Sequence, residues 1–114
     1  MQHVNEHDME FRGGASGVKY LFRGPAIDWG VIVFAPGERL GGHYHERVEE
    51  TFYFVEGDGG TMIVNGQEHA IRIGDAFRLD PQDRHDIVNT GLAPLKAVFI
   101  KSSYDPQDKV NVGP

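Results

Sequence analysis

From Val18 onward the apolar residues recur at every second position in short runs. That is the repeat of a strand, and no stretch carries the long three-and-four spacing of an amphipathic helix. The runs are rich in β-branched and aromatic residues and are separated by Gly, Pro, Asn and Asp, the punctuation of strands and turns. The pattern predicts strands over residues 18–23, 29–35, 42–45, 49–56, 61–64, 68–73, 76–79, 86–89 and 95–101. Gly57-Asp58-Gly59-Gly60 and Asn65-Gly66 are hairpin signals, and Gly74-Asp75 marks a further tight turn. Closely spaced short strands of this kind imply an all-β antiparallel sandwich or barrel with little helix.

The alternation also sorts side chains onto faces. Glu50, Phe52 and Phe54 share one face of their strand, while Glu49, Thr51, Tyr53 and Val55 share the other. The Phe-bearing face suits a closed interior. Tyr53 and Val55 leave the outer face half-apolar, so part of the exterior is expected to be covered by a second subunit in a homodimer.

With 114 residues the chain is long enough for one ordinary domain and too short for two. The expected layout is a flexible segment over residues 1–16, a single β-barrel domain over 17–103 and a tail over 104–114 that frays or lies across a neighbour. His3 and His7 are read as exposed histidines of the first segment. No apolar run approaches the roughly 18 residues of a membrane span, and the start has no basic-then-apolar leader pattern, so a cytoplasmic protein is expected.

Charge and cysteine content narrow the chemistry. A net charge of -6 without any basic run argues against a nucleic-acid or anionic-membrane partner, because both require a basic surface. There is no cysteine, which excludes disulfides, thiolate ligands and thiol nucleophiles, so any metal must be held by nitrogen and oxygen.

Such donors gather between Gly37 and Gly57, in GERLGGHYHERVEETFYFVEG. On a strand His43 and His45 would share a face roughly 7 Å apart at the backbone. A turn of a few residues would bring Glu50 alongside them, and alternation favours Glu50 over Glu49. Alone, a His-x-His pair is more often two hydrogen-bonding histidines than a metal site. A second stretch, GDAFRLDPQDRHDIVN from Gly74 to Asn89, places His85 at the opening of another strand.

Together the two stretches resemble the cupin superfamily. Gly37, His43, His45, Glu50 and Gly57 meet the spacing of its first motif, and Gly74, His85 and Asn89 that of its second. Asp80 stands where proline is usual, with Pro81 displaced by one, and Gln82 stands where glycine is usual; these positions shape a loop. The resemblance covers roughly residues 35–100 and implies a double-stranded β-helix, a small jelly-roll-like barrel with a metal inside one end. It also implies the ligand set His43, His45, Glu50 and His85. His69 is read as structural or surface, and Asn89 either orients a ligand or water near His85 or supports the strand end.

Three imidazoles and one carboxylate suit one divalent transition metal per chain, with manganese or iron favoured and nickel, cobalt or zinc compatible. Open coordination positions would admit water, oxygen or a bidentate substrate. Strand parity lines the expected pocket with Phe52, Phe54 and Ile87, joined by Phe34 or Phe99, with Asn89 near His85. This apolar lining favours a small aromatic or carbonyl-containing molecule, with Arg39, Arg78 and Lys101 as candidate carboxylate anchors against a solvated-surface reading. The expected function is a metal-dependent enzyme, dioxygenase-like or an isomerase, and the alternative is a non-catalytic small-molecule-binding or sensor module.

Overall fold

A computed structural model describes residues 1–113. The strands are β1 (Gly17–Arg23), β2 (Asp28–Phe34), β3 (His43–Tyr44), β4 (Glu50–Glu56), β5 (Gly60–Val64), β6 (Gln67–Ile71), β7 (Ala76–Leu79), β8 (His85–Val88), β9 (Leu95–Lys101) and β10 (Val110–Asn111). They form two antiparallel five-stranded sheets, ordered β1-β2-β9-β4-β7 and β10-β3-β8-β5-β6. The all-β double-stranded β-helix expected from the sequence is the fold observed. Among the described residues the helical structure is one 3-10 turn, Glu6–Asp8, and no helix is long and apolar enough to cross a membrane.

The inner faces of the two sheets meet in a core of Ile32, Phe34, Phe52, Phe54, Met62, Ile71, Leu79, Ile87, Leu95, Ala97 and Phe99. Strand pairing stacks these in layers. Phe52 lies opposite Phe99 and Phe54 opposite Ala97 across the β4–β9 pair, and Ile32 faces Ala97 across β2–β9. A Cβ on Gly30 would lie 2.1 Å from the Lys19 carbonyl oxygen, so only glycine fits the close approach beside the β1 bulge. Its pairing partner Tyr20 meets Phe99 edge to face at 5.1 Å.

The turn between β5 and β6 carries its predicted chemistry. Asn65 and Gly66 both have positive φ, 49° and 82°, as a two-residue hairpin loop between β5 and β6 requires. Gln82 has φ 73°, a conformation that glycine adopts freely and a side chain resists. The backbone therefore keeps the left-handed kink at this position without its glycine. The Gln82 N–H donates to the His45 carbonyl at 2.6 Å, tying the loop before β8 to the chain after β3.

Residues before β1 and after β9 touch the barrel. The expected loose first segment is held at Glu6, whose carboxylate pairs with Lys19 at 3.2 Å and Lys96 at 2.8 Å. The Lys19 ammonium also lies 3.9 Å from the Phe11 ring centre, and its side chain is 4% exposed. Glu6→Ala would leave this ammonium without its acid, so a loss of about 1–3 kcal/mol is expected in urea unfolding, with faster proteolysis within residues 1–16. Unchanged stability and cleavage would show that the pairing is ornamental. At the other end β10 pairs with β3 of its own chain, Val110 with Tyr44 and Asn111 with His43. A two-residue strand in a polar segment has no readable period, which is why the sequence did not announce β10; Pro114 of the expected tail lies outside the described residues.

Candidate metal centre

His43 and His85 face each other across the β3–β8 pair, His45 follows two residues after His43, and Glu50 opens β4 in the opposite sheet. The site thus joins the two sheets at one end of the barrel. One ligand atom from each of the four residues lies within 4.8 Å of the others, and all four residues are buried. A cluster of one carboxylate and three imidazoles out of water is costly unless protons or a cation bind it.

Each imidazole is aimed by a backbone carbonyl. The Nδ1 of His43 bonds to the Gly41 oxygen at 2.9 Å, that of His85 to the Asp83 oxygen at 2.9 Å, and that of His45 to the Asp108 oxygen. With Nδ1–H donating outward, the tautomer is set and each Nε2 lone pair turns toward the cluster. His45 Nε2 lies 3.0 Å from Glu50 Oε1. His85 Nε2 is 3.4 Å from the same oxygen yet is a buried nitrogen with no hydrogen-bond partner. An orphaned imidazole lone pair facing a carboxylate and two further imidazoles is the arrangement a divalent cation satisfies.

A cavity of about 220 Å³ opens beside the cluster. Of the six residues expected to line it, Phe52 and Phe99 do so, closing its inner end. The other four do not border it. Phe34 and Phe54 are buried in the core farther along their strands, and Ile87, two residues beyond His85, is fully enclosed by the core. Asn89 donates to the Phe34 and Ala93 carbonyls at 2.8 and 2.9 Å and accepts from the Gly91 N–H at 2.9 Å, so it latches the loop after β8. Parity tells which face is internal but not how deep along the barrel a residue sits.

The expectation of a mainly apolar lining is corrected as well. Arg12, Arg23, Lys101, Asp105, Asp108 and Lys109 border the cavity together with Tyr20, Ile32, Leu40 and Val48. Lys101 alone of the three candidate anchors reaches it. Arg39 pairs with the buried Asp86 outside it, and Arg78, with its side chain 70% exposed, pairs with Glu49 on the surface.

A family model described as a cupin domain matches residues 30–101. The chain belongs to the cupin family. This cupin is 33% identical over 81 residues to the tetracenomycin polyketide synthase protein TcmJ of Streptomyces glaucescens, covering 71% of this chain and 54% of that protein. It spans about half the length of the curated relatives it matches. Among solved structures, a double-stranded β-helix protein of uncharacterised function from Klebsiella pneumoniae superposes over 100% of this chain and 99% of its own, with TM-score 0.84 and 16% identity. A recombinant oxalate oxidase in complex with glycolate superposes over 85% of this chain and 55% of its own, with TM-score 0.73 and 21% identity.

Electrostatics in this cupin's site follow from burial and the Glu50 carboxylate. Burial lowers the pKa of His43 to about 4, with the His85 imidazole adding to the effect. Burial also opposes a charge on His45, but the bonds to Glu50 and to the Asp108 carbonyl outweigh it and raise its pKa. Burial would raise Glu50, yet His45 and His85 pull it down to about 2. Without metal, His45 and Glu50 therefore hold a proton between them to higher pH than an ordinary imidazole would, and metal uptake in that range must displace it. Divalent-ion affinity is expected to rise with pH until the pH passes the raised His45 pKa, by roughly tenfold per pH unit for one released proton. Chelator competition between pH 6 and 8, with proton release measured in weak buffer, checks this; a flat profile without release would exclude His45 as a ligand.

The residue that sequence reasoning missed is Asp108. Its carboxylate accepts from the backbone N–H groups of Glu46, Arg47 and Val48 at 2.7, 2.8 and 2.9 Å, gathering the turn that separates His45 from Glu50. Its own carbonyl orients His45. No periodicity or spacing marks such a residue, because it acts on backbone groups far away in sequence.

Proposed function

We propose that this cupin is a metal-dependent enzyme acting on a small organic molecule, either a dioxygenase-like oxidoreductase or an isomerase. Nε2 of His43, His45 and His85 and a carboxylate oxygen of Glu50 would hold one divalent transition ion, with manganese or iron favoured. When bound, the ion supplies Lewis acidity and, if redox-active, electrons for oxygen chemistry. The observation that carries the reading is the buried His85 Nε2, which has no hydrogen-bond partner inside a cluster of four ligand-type groups beside a cavity.

The chain's own residues divide the remaining work. The Gly41, Asp83 and Asp108 carbonyls hold the imidazoles in one tautomer. Phe52 and Phe99 keep water from the inner side of the site, which strengthens electrostatic interactions within it. Glu50 and His45 together hold or release one proton at the Oε1–Nε2 contact.

The test begins with metal analysis of protein purified without added metal. Less than about 0.1 equivalent per chain, with no uptake of manganese, iron, nickel or zinc, sinks the reading. An oxygen-electrode screen of metal-loaded protein across diketones, catechols and flavonoid-like compounds follows, with proton-exchange NMR on the same compounds. Oxygen consumption selects the oxygenase, and exchange or double-bond migration without oxygen uptake selects the isomerase. Diketones head the screen because polyketides, named in the TcmJ description, are polycarbonyl compounds. Metal-loaded protein that binds such compounds but turns none over would favour the sensor alternative.

A homodimer is proposed alongside. Tyr53, Val55 and Ile100 present large apolar groups 48%, 39% and 40% exposed, with Tyr53 on β4 beside Val98 and Thr51 beside Ile100 on β9. Covering such a face with a second copy removes it from water. Light scattering should give about twice the 12.7 kDa chain mass at micromolar concentration, and a value near 12.7 kDa refutes the dimer.

A further inference from the structure

The cavity beside the histidines gathers four cations in a chain whose net charge is -6. Its acids are already engaged. Glu50 faces His45, Asp108 accepts three backbone N–H groups, and Asp105 pairs with Arg47 at 2.9 Å. Arg23 is bound to Asp28 at 3.2 Å. Among the described residues, Arg12, Lys101 and Lys109 have no carboxylate partner although all three border the cavity. Arg12 and Lys109 are exposed at its mouth, where a cation needs no partner.

Lys101 differs. It is half-buried, lies opposite Glu50 in the β4–β9 register, and its ammonium donates to the Tyr20 hydroxyl at 3.0 Å. The same ammonium is 5.8 Å from the Phe99 ring centre. An ammonium has three donors, and the bond to Tyr20 uses a single one. Tyr20 is itself surrounded by cations, with the Arg23 guanidinium 3.8 Å and that of Arg12 6.0 Å from its ring centre. A half-buried ammonium with spare donors and a fixed phenol beside it is a receptor for an anionic oxygen pair.

We propose that this cavity selects small organic acids with two oxygen-bearing ends, such as dicarboxylates and β-keto acids. One carboxylate sits on Lys101 and the Tyr20 hydroxyl, and the other end reaches the histidine cluster. Arg12 and Lys109 at the mouth attract the anion and speed its entry. The placement of the second end rests on the metal reading of the cluster; the seat on Lys101 and Tyr20 does not.

The test uses oxalate, malonate, succinate and glutarate against the corresponding neutral diamides, titrated calorimetrically into metal-free and manganese-loaded protein, with manganese affinity measured separately. At least one diacid is expected to bind both forms, more tightly with manganese, while its diamide binds at least tenfold more weakly, as the loss of charge-assisted hydrogen bonds implies. Lys101→Met should weaken that diacid by roughly tenfold or more, Lys101→Arg should retain most of the affinity, and Tyr20→Phe should lose a few-fold. Manganese affinity should not fall in Lys101→Met, since removing a cation cannot repel the ion, and an unchanged thermal melt certifies the fold. Arg12→Gln with Lys109→Gln should slow association and flatten its salt dependence. Diamides binding as well as diacids, inorganic phosphate binding more tightly than every diacid, or full diacid affinity in Lys101→Met would each overturn the proposal. Failure to take up manganese, iron, nickel and zinc alike overturns the metal reading instead, and the Lys101 dependence is then read on the metal-free protein alone.

Discussion

Glu50→Ala is expected to reduce divalent-metal affinity by roughly a hundredfold or more, since a four-ligand site draws about 3 kcal/mol from each donor. Glu50 is the one anionic group in the cluster, so its loss leaves three neutral imidazoles to face the ion. Glu50→Gln keeps the volume and removes the charge, and should behave the same way if charge rather than packing is responsible. In either variant His45 loses the partner that raises its pKa. Burial is then opposed by the Asp108 carbonyl without help from Glu50, and an NMR titration of His45 should move to lower pH. Chelator competition reads the metal effect, and full occupancy in Glu50→Gln would mean that Glu50 is not a ligand.

The same carboxylate sets a pH signature in the metal-free protein. The Glu50 pKa is lowered from 4.5 to about 2 on folding. Its contribution to stability is therefore fully present above pH 4.5 and is lost as pH falls toward 2. Metal-free Glu50→Gln should accordingly lose less stability than the wild type over that interval. His43 adds a loss at higher pH. Its pKa is lowered to about 4 from 6.5, so the unfolded chain gains a proton first and stability declines as pH falls from 6.5 toward 4.

Asp108→Ala should be the second large effect, although this residue sits in a polar segment near the end of the chain. Three backbone N–H groups lose a shared carboxylate, and the side chain that joins them is 1% exposed. Loss of charge-assisted bonds to one buried and two part-buried donors should cost about 3 kcal/mol, or a melting-temperature drop of about 12 °C in a domain of this size. Because the turn it gathers carries His45 toward Glu50, metal affinity should also fall, by roughly 10- to 100-fold. Asp108→Asn retains one acceptor oxygen and should recover part of both losses. A stability loss with metal affinity untouched would confine Asp108 to a structural role.

Local chemistry made much of the barrel legible in the sequence. The β4 alternation of Glu50, Phe52 and Phe54 against Thr51, Tyr53 and Val55 separates buried from outward positions as expected, apart from varying degrees of exposure outside. The strand expected over residues 95–101 is β9, Leu95–Lys101, and that over 76–79 is β7, Ala76–Leu79. His43, His45 and Glu50 lie within eight residues of one another and could be grouped by spacing. His85 joined them only through the resemblance, since nothing local indicates that β8 lies beside β3.

What escaped the sequence is long-range and aperiodic. Strand parity named Phe54 and Ile87 as pocket residues, with Phe34 added from a neighbouring strand and Asn89 from the second motif, yet none of the four borders the cavity. Arg12, Lys109 and Asp108 come from the segments before β1 and after β9, where no period orders the side chains. The half-buried Lys101 was readable only as one of three cations, and only the pairing of β9 with β4 turned it toward Glu50. The sequence by itself determined the strands, their inner faces and the donor types available to a metal. Tertiary structure alone decided which carbonyl holds each imidazole, how deep the cavity runs and which charges meet in it. A strand's period is a property of neighbouring residues, whereas those contacts join positions 63 residues apart for His45 and Asp108 and 81 apart for Tyr20 and Lys101, and their geometry exists only once both sheets have closed.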